Sequence, residues 1–354
     1  MHHSFALYRL PGATTCVWCE SKEQPLVLDR CSALDGRSGF LFAPFRLTAH
    51  TPLLLVVPDV IKEMSLDELP SIQGDMHFME HDDSAERERY QQVFARFHQA
   101  LCSGELQKVV LSRRAKETAL QDIDPLALFK EACLSYPQHF VALVSTPQSG
   151  TWLMATPEIL LQRQQGRWHT MALAGTMPSS QFTTTEEPLH SIWSDKNIRE
   201  QQYVSDYIRE CLSRHASDIS ESAPQTLLAG QVMHIVTHFH FSFDAGQSLG
   251  SLIQALHPTP AVCGMPKREA YDFILQHEQH DRLYYSGFAG PLQLMDETQL
   301  FVTLRCMQLE QRQYTLYAGG GLLKDSVAEK EWHETEYKMQ TIRKCLAIKR
   351  TSTY

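Results

Sequence analysis

The chain has 354 residues, 43% hydrophobic and 21% charged, and 41 acidic against 32 basic side chains leave a formal net charge of -9. That balance repels nucleic-acid backbones and anionic membrane surfaces, so neither is expected as a partner, and an anionic substrate must be met by locally gathered positive charge. Nine cysteines, an odd number scattered from Cys16 to Cys345, suit reduced thiols in a cytoplasmic protein better than a disulfide framework.

Cys16 and Cys19 form a CxxC pair, but no second pair or neighbouring histidines complete four zinc ligands, so both are assigned to a strand. The opening MHHSFALYRLPG has no basic stretch leading into an apolar run, and the longest apolar stretch, around LLLVVP, is far too short to span a bilayer. A soluble, unanchored protein is expected.

Up to Pro58 the runs FALYRL, CVWCE, PLVLDR, GFLFAPF and PLLLVVP predict a β meander without a helix. Between Ser84 and Ser103, Tyr90, Val93, Phe94, Phe97, Ala100 and Leu101 recur at helical spacing and predict an amphipathic helix ending at Gly104. Strands and helices then alternate irregularly: KVVLSRRAKE, a helix around DPLALFKEACLSY, the strands HFVALVST, TWLMATPEIL and RWHTMALAGT, a helix from Ser194 to His215, and the strand QVMHIVTHFHF. A helix near SLGSLIQAL, the segment HPTPAVCGMP, a helix REAYDFILQH, the runs YYSGFAGPL, LFVTLRCMQL and YTLYAGG, and a helix from Ser326 to Cys345 complete the order. Hairpin-like strands with scattered helices and no regular βαβ repetition predict an α+β fold. No repeat of fixed period and no Pro/Ser-rich linker divides the chain, so one large domain is expected.

Several positions could carry chemistry. Helical spacing puts Glu200 at the head of the apolar face of Tyr203, Val204, Tyr207, Ile208 and Cys211. A carboxylate there either needs a proton, a cation or a metal, or simply complements the helix dipole. In the last helix Glu331, Glu334, Lys338 and Ile342 share one stripe, which taken alone reads more readily as a solvated face with an i,i+4 Glu–Lys pair than as a site. The glycines of YTLYAGGGLLKDS permit either a hairpin turn or an amide cradle for an anion, and the absence of GK[ST] argues against a nucleotide loop. Alternation places His234, His238 and His240 on one strand face, as zinc ligands or as hydrogen-bonded histidines, with no acid or thiol nearby to favour zinc. Lys108 opens an apolar strand, where it either snorkels from the strand end or sits in a dry interior and takes a proton from water.

In their order along the chain, KVVLSR, ATPEIL, LAGT, DKNIREQQYV, HPTPAVCGMP, VTLRC, AGGGL and EKEWHETEYK resemble the chorismate-utilising enzymes, the anthranilate synthase component I-like family. The resemblance runs from about Ser84 to the end, and the first eighty residues carry little of it. It implies a single catalytic domain over residues 1–354, with a variable β-rich part at 1–83 and a core at 84–354. Two large, mainly antiparallel sheets stacked face to face, with helices outside, are the implied architecture. Lys108, where aminating members carry glutamine, and the form of HPTPAVCGMP imply the branch that uses water: isochorismate synthase, feeding menaquinone or siderophore biosynthesis, with menaquinone preferred.

By matching motif, the resemblance makes Lys108 the general base that activates water for attack at ring carbon C2, and Glu158 the general acid for the departing C4 hydroxyl. It assigns Glu200 and Glu334 to Mg2+, with Glu331 as a further ligand or neighbouring acid. Arg305 and Lys338, with amide groups at Gly319, Gly320 and Gly321, would hold the enolpyruvyl carboxylate of chorismate. Gly175, Thr176, His234 and His257 would line the pocket, and Val262 and Tyr285 would pack on the substrate and bias the product. Gln201 departs from the pattern, standing where the family commonly has histidine, and LAGTMPSS lacks a frequent arginine.

Other readings are a salicylate synthase, which would go on to eliminate pyruvate, an aminating enzyme with a glutaminase partner, and a silent chorismate-binding protein. The presence of every charged group argues against the last, and no glutaminase subunit is expected. No heptads stand out, so a monomer is expected.

Overall fold

The computed structural model describes residues 4–73, 76–80, 82–164, 166–179, 189–229, 232–243 and 246–346. Residues 1–3 of the opening, Ser180 of LAGTMPSS and Gln231 of QVMHIVTHFHF lie outside the described residues.

The first part of the chain lays down β1 (Ser4–Arg9), β2 (Thr15–Ser21), β3 (Leu26–Leu28), β4 (Gly39–Ala43), β5 (Leu53–Val56) and β6 (Val60–Ser65), with single 3-10 turns at Cys31–Leu34 and Leu66–Glu68. Helix α1 (Ser84–Cys102) buries the six apolar residues expected of it. Then come β7 (Lys108–Thr118), α2 (Pro125–Ser135), β8 (Phe140–Thr146), β9 (Gly150–Thr156), β10 (Ile159–Gln164) and β11 (Arg167–Pro178). Next are α3 (Leu189–Ile192), α4 (Asp195–His215), β12 (Ser217–Glu221), β13 (Gln225–Ala229), β14 (Val232–Ser242) and α5 (Leu249–Leu256). The described elements end with β15 (Gly264–Met265), α6 (Lys267–His277), β16 (Phe288–Leu292), β17 (Gln299–Val302), β18 (Cys306–Glu310), β19 (Gln313–Leu322), α7 (Ala328–Arg343) and a 3-10 turn at Lys344–Leu346.

These strands make two sheets. One has nine strands in the order β15-β7-β19-β18-β9-β8-β1-β2-β6, and the other has ten, in the order β12-β14-β11-β10-β17-β16-β4-β5-β3 with β13 also on β14. Every described pairing is antiparallel, as the hairpin-like order predicts. The opening meander is not a unit of its own: β1, β2 and β6 join the first sheet, and β3, β4 and β5 the second.

Aromatic residues fill the space between the sheets, with Phe140 of β8 stacked on Phe301 of β17 at 4.2 Å and Phe42 of β4 on Tyr284 at 4.1 Å. Each such side chain, fully buried, contributes about 1.5–3 kcal/mol. The outer faces are covered by helices. Val204, Ile208 and Leu212 of α4 and Leu252 of α5 pack on the second sheet, and Leu128 and Phe129 of α2 with Met339 and Ile342 of α7 on the first. Ser194 caps α4 by accepting from the Asn197 N–H at 3.3 Å, which fixes where that helix starts.

Two runs that the sequence presents as continuous strands are each broken in the structure. TWLMATPEIL divides at Pro157 and Glu158, with β9 in the first sheet and β10 in the second; LFVTLRCMQL divides at Thr303 to Arg305, with β17 in the second and β18 in the first. The crossings run side by side, tied by Val302 N–H to Glu158 carbonyl at 2.9 Å and Ala155 N–H to Arg305 carbonyl at 3.1 Å. Arg305 has φ +47, a left-handed conformation that turns its chain between sheets. Both crossings deliver a charged side chain into the interior, where an ordinary core would tolerate neither.

Candidate active site

A cavity with about 610 Å3 of non-atom space, its open mouth included, takes walls from both sheets and from α4 and α7. Val110, Ala318, Gly319 and Gly321 belong to the first sheet; Leu173, Gly175 and His234 to the second; Glu200 comes from α4 and Lys338 from α7. Glu158, Val262, Tyr285 and Arg305 reach it from connecting segments outside the strands and helices.

Glu200 points inward because it heads the apolar face of α4. Its carboxylate lies 3.1 Å from Lys108 Nζ, whose side chain is 0% exposed. The contact lacks hydrogen-bond alignment, so the buried amine makes no hydrogen bond among the described residues. The pair fits only because position 321 is glycine: a Cβ there would lie 2.0 Å from Glu200 Oε1 and 3.0 Å from Lys108 Cε. At Gly320 a Cβ would meet Glu331 Oε2 at 3.2 Å and Glu334 Oε1 at 3.5 Å. Three carboxylates thus face two consecutive glycines of β19.

Each of these acids has a lysine. Lys108 pairs with Glu200, Lys338 Nζ donates to Glu334 Oε1 at 2.7 Å and to the Gly319 carbonyl at 2.8 Å, and Lys196 pairs with Glu331. Burial and the neighbouring Glu334 push the Glu331 carboxyl up to about 7 against the pull of Lys196. Burial also acts to raise Glu334, but Lys338 and Lys196 hold it below the usual carboxylate range. Glu331 Oε2 is buried without a hydrogen-bond partner among the described residues, a cost of about 1–3 kcal/mol or more for a charged group. An all-oxygen donor set with an unsatisfied carboxylate oxygen is the kind of site that suits a hard divalent cation.

Burial raises the Glu158 carboxyl to about 8, against the lowering pull of Lys108, Arg305 and Lys338. It is therefore protonated at neutral pH and able to give a proton away. Arg305 Nη2 donates to His234 Nε2 at 2.9 Å, and His234 Nδ1–H donates to the Gly175 carbonyl at 2.9 Å. Burial, with Arg305 and Lys338 nearby, holds His234 well below its ordinary value, so the ring stays neutral and can accept from the guanidinium. Gly175, with φ +70, bends β11 where its register with β14 shifts, and brings its carbonyl to the histidine.

This arrangement accompanies a match over residues 38–347 to the model of the family described as chorismate binding enzymes. The chain belongs to that family. Among its relatives, the Isochorismate synthase EntC of Escherichia coli (strain K12) is 28% identical over 260 residues, which span 73% of this chain and 66% of that protein. The putative isochorismate synthase MenF of Mycobacterium tuberculosis (strain CDC 1551 / Oshkosh) is 30% identical over 261 residues, spanning 70% of each chain. The crystal structure of the putative 2,3-dihydroxybenzoate-specific isochorismate synthase DhbC of Bacillus anthracis superimposes with a TM-score of 0.81 at 23% identity, covering 97% of this chain and 96% of that one. That likeness establishes the shared fold.

Within this chorismate-binding enzyme most of the residues singled out in the sequence come together. Glu158, Gly175, Thr176, Glu200, His234, Val262, Tyr285, Arg305, Gly319 and Lys338 line the cavity. Lys108 stands directly behind Glu200, and Gly320, Glu331 and Glu334 adjoin through β19 and α7. Glu331 and Glu334 line an adjacent open cleft that shares Thr176 with the first cavity. His257 is the exception. Its Nε2 lies 3.2 Å from the Pro44 carbonyl and its ring packs on Phe288 at 4.8 Å, so it lines a different cavity, because α5 ends at Leu256 and turns the next residues toward β4 and β16.

Gln201, the departure from the family pattern, is buried on the sheet side of α4. Its Nε2 donates to the Ala172 carbonyl at 3.0 Å, Thr237 Oγ1 at 3.2 Å and Ser205 Oγ at 3.3 Å, fastening α4 to β11 and β14. The histidines of β14 divide: His234 faces the cavity, whereas His238 lies 3.0 Å from His169 on β11 and His240 is exposed. No group of three or more His, Cys, Asp or Glu set to hold a metal occurs among the described residues. Lys196, in the first turn of α4, also belongs to the site, and its i,i+4 relation to Glu200 is the signal for it in the sequence. Burial acts to lower it, but Glu331, Glu200 and Glu334 raise it above an ordinary lysine. No described helix is long and apolar enough to cross a membrane, and all nine cysteines are free thiols.

Proposed function

We propose that this chorismate-binding enzyme is an isochorismate synthase that adds water at C2 of chorismate and expels the C4 hydroxyl. The observation that carries the proposal is a wholly buried Lys108, 3.1 Å from Glu200 and without a hydrogen-bond partner among the described residues, and a separate Glu158 carboxyl that lines the cavity and keeps its proton at pH 7. A base and an acid held apart are what a substitution with proton transfer at two ring carbons requires.

Lys108 takes a proton from water as its oxygen bonds to C2. The C1–C2 double bond shifts to C1–C6 and the C5–C6 double bond to C4–C5 as the C4–O bond breaks, and Glu158 gives its proton to the departing hydroxyl, which leaves as water. The lysine then loses and the glutamate regains a proton through solvent. Arg305, oriented by neutral His234, and Lys338 bind the enolpyruvyl carboxylate, supplying the positive charge that the acidic surface lacks. Tyr285 and Val262 pack on the ring. The donor chemistry at Glu200, Glu334 and Glu331 fits Mg2+, which uses few protein carboxylates and keeps its own waters; bound there it would neutralise the ring carboxylate.

Water rather than ammonia is favoured because Lys108 is a base in place of a neutral amide, so no glutaminase subunit is required. In this reading the protein acts as a soluble cytoplasmic monomer in menaquinone biosynthesis. The deciding assay incubates the purified protein with chorismate and Mg2+. Isochorismate without pyruvate supports the proposal; stoichiometric pyruvate makes the protein a salicylate synthase, and turnover that needs ammonia makes it an aminating enzyme.

A further inference from the structure

The cavity that takes His257 is larger than the first, with about 1540 Å3 of non-atom space, its open mouth included. Its floor is aromatic: Phe45, Tyr271 and Phe288, with Phe45 and Tyr271 rings 5.3 Å apart. Its charge is one-sided. Arg30, Arg46, Lys267 and Arg268 line it against the single acid Asp29. Arg46 has no ion pair among the described residues, and Arg268 has only a 4.0 Å approach to Asp272.

Lys267 is the deepest of these cations. Its Nζ donates to Tyr207 Oη at 2.8 Å, the Ala255 carbonyl at 2.8 Å and the His257 carbonyl at 3.1 Å, and among the described residues no carboxylate pairs with it. The neighbouring thiols of Cys31 and Cys263 are pushed by burial up to about 11 and about 12, so they offer no negative charge either. Every polar contact that fixes this ammonium is neutral. Its positive field is left for an anion to use, and the guanidinium of Arg46 is left to bind one.

The two cavities are joined by shared residues. Residues His257 and Pro258 line the second, and Ala261 and Val262, a few residues on, line the first. Arg282 spans them: its guanidinium lies 4.4 Å over the Phe45 ring on one side, and on the other donates to the Val262 carbonyl at 2.7 Å and the Val110 carbonyl at 2.8 Å. The same segment pairs with the Lys108 strand, Met265 opposite Lys108.

From this geometry we infer that the second cavity is a binding site for an aromatic carboxylate, and that its occupancy is felt at the active site through Arg282 and residues 257–265. The ring would lie on Phe45 and Tyr271, and the carboxylate would meet Arg46 and Arg268 in the field of Lys267.

Calorimetry with biphenyl-4-carboxylate as the probe tests it, without relying on any turnover. Saturable binding to the full chain is expected, weakened at least tenfold by the R46E/R268E pair, weakened likewise when biphenyl-4-carboxamide replaces the acid, and retained in K338Q. No saturable binding, or binding lost in K338Q and kept in R46E/R268E, overturns the site. A second arm rests on the proposed activity: the probe should shift KM or kcat for chorismate at least threefold in the wild-type protein and leave R46E/R268E unchanged. Binding without any kinetic effect overturns the coupling and leaves the assignment of the reaction untouched.

Discussion

Replacing Glu158 by glutamine tests the buried acid on two independent axes. In the folded protein the carboxyl keeps its proton up to about pH 8, whereas an unperturbed glutamate loses it near 4.5. Between those values the unfolded chain binds fewer protons than the folded one, so this group makes the wild-type protein less stable as pH rises. Glutamine has no such dependence. Each unit of pH inside the window is worth about 1.4 kcal/mol, so the stability of E158Q relative to wild type should grow by about 4 kcal/mol from pH 5 to pH 8. Urea unfolding followed by tryptophan fluorescence at several pH values measures the gap. Turnover of the same variant should fall by about 10^2 to 10^4, the usual contribution of a general acid. A gap that stays constant with pH refutes the buried, protonated carboxyl, and undiminished turnover refutes its role as acid.

Wild-type activity should decline as pH rises through about 8, where Glu158 loses its proton, and a pH–rate profile that stays flat to pH 9 contradicts that assignment. K108A should lose turnover by about 10^2 to 10^4 while calorimetry still detects Mg2+ binding, since Lys108 is not among the oxygen donors; retained turnover removes it as the base. G321A places a Cβ 2.0 Å from Glu200 Oε1 and should weaken Mg2+ binding at least tenfold, whereas equal affinity means Glu200 is not a ligand. R305K keeps the charge but loses the fork that holds His234, and should lower kcat/KM for chorismate by about 10- to 100-fold, the equivalent of about 1.5–3 kcal/mol.

Periodicity alone made much of this molecule legible. The inward carboxylate of Glu200 follows from helical spacing, and the antiparallel α+β architecture from hairpin-like runs without βαβ repetition. Where the sequence misled, tertiary geometry decided. Nothing local in TWLMATPEIL or LFVTLRCMQL reveals that the chain leaves one sheet for the other at Glu158 and Arg305, because apolar residues continue on both sides of each break. His257 is near Val262 in sequence, yet the turn after α5 sends the two side chains to different cavities. The glycines of AGGGL were open to a turn or to an anion cradle. In the structure they are strand residues whose missing Cβ atoms admit three carboxylates, a role that needs α4 and α7 in place before it can be read.

The most direct test of water addition is isotopic. Chorismate incubated with the enzyme and Mg2+ in H2(18)O, sampled at low conversion, should give isochorismate carrying one 18O, located at the C2 hydroxyl by mass spectrometry. Isochorismate formed without the label would mean that the hydroxyl migrates within the substrate, and the division of labour between Lys108 and Glu158 would then be wrong.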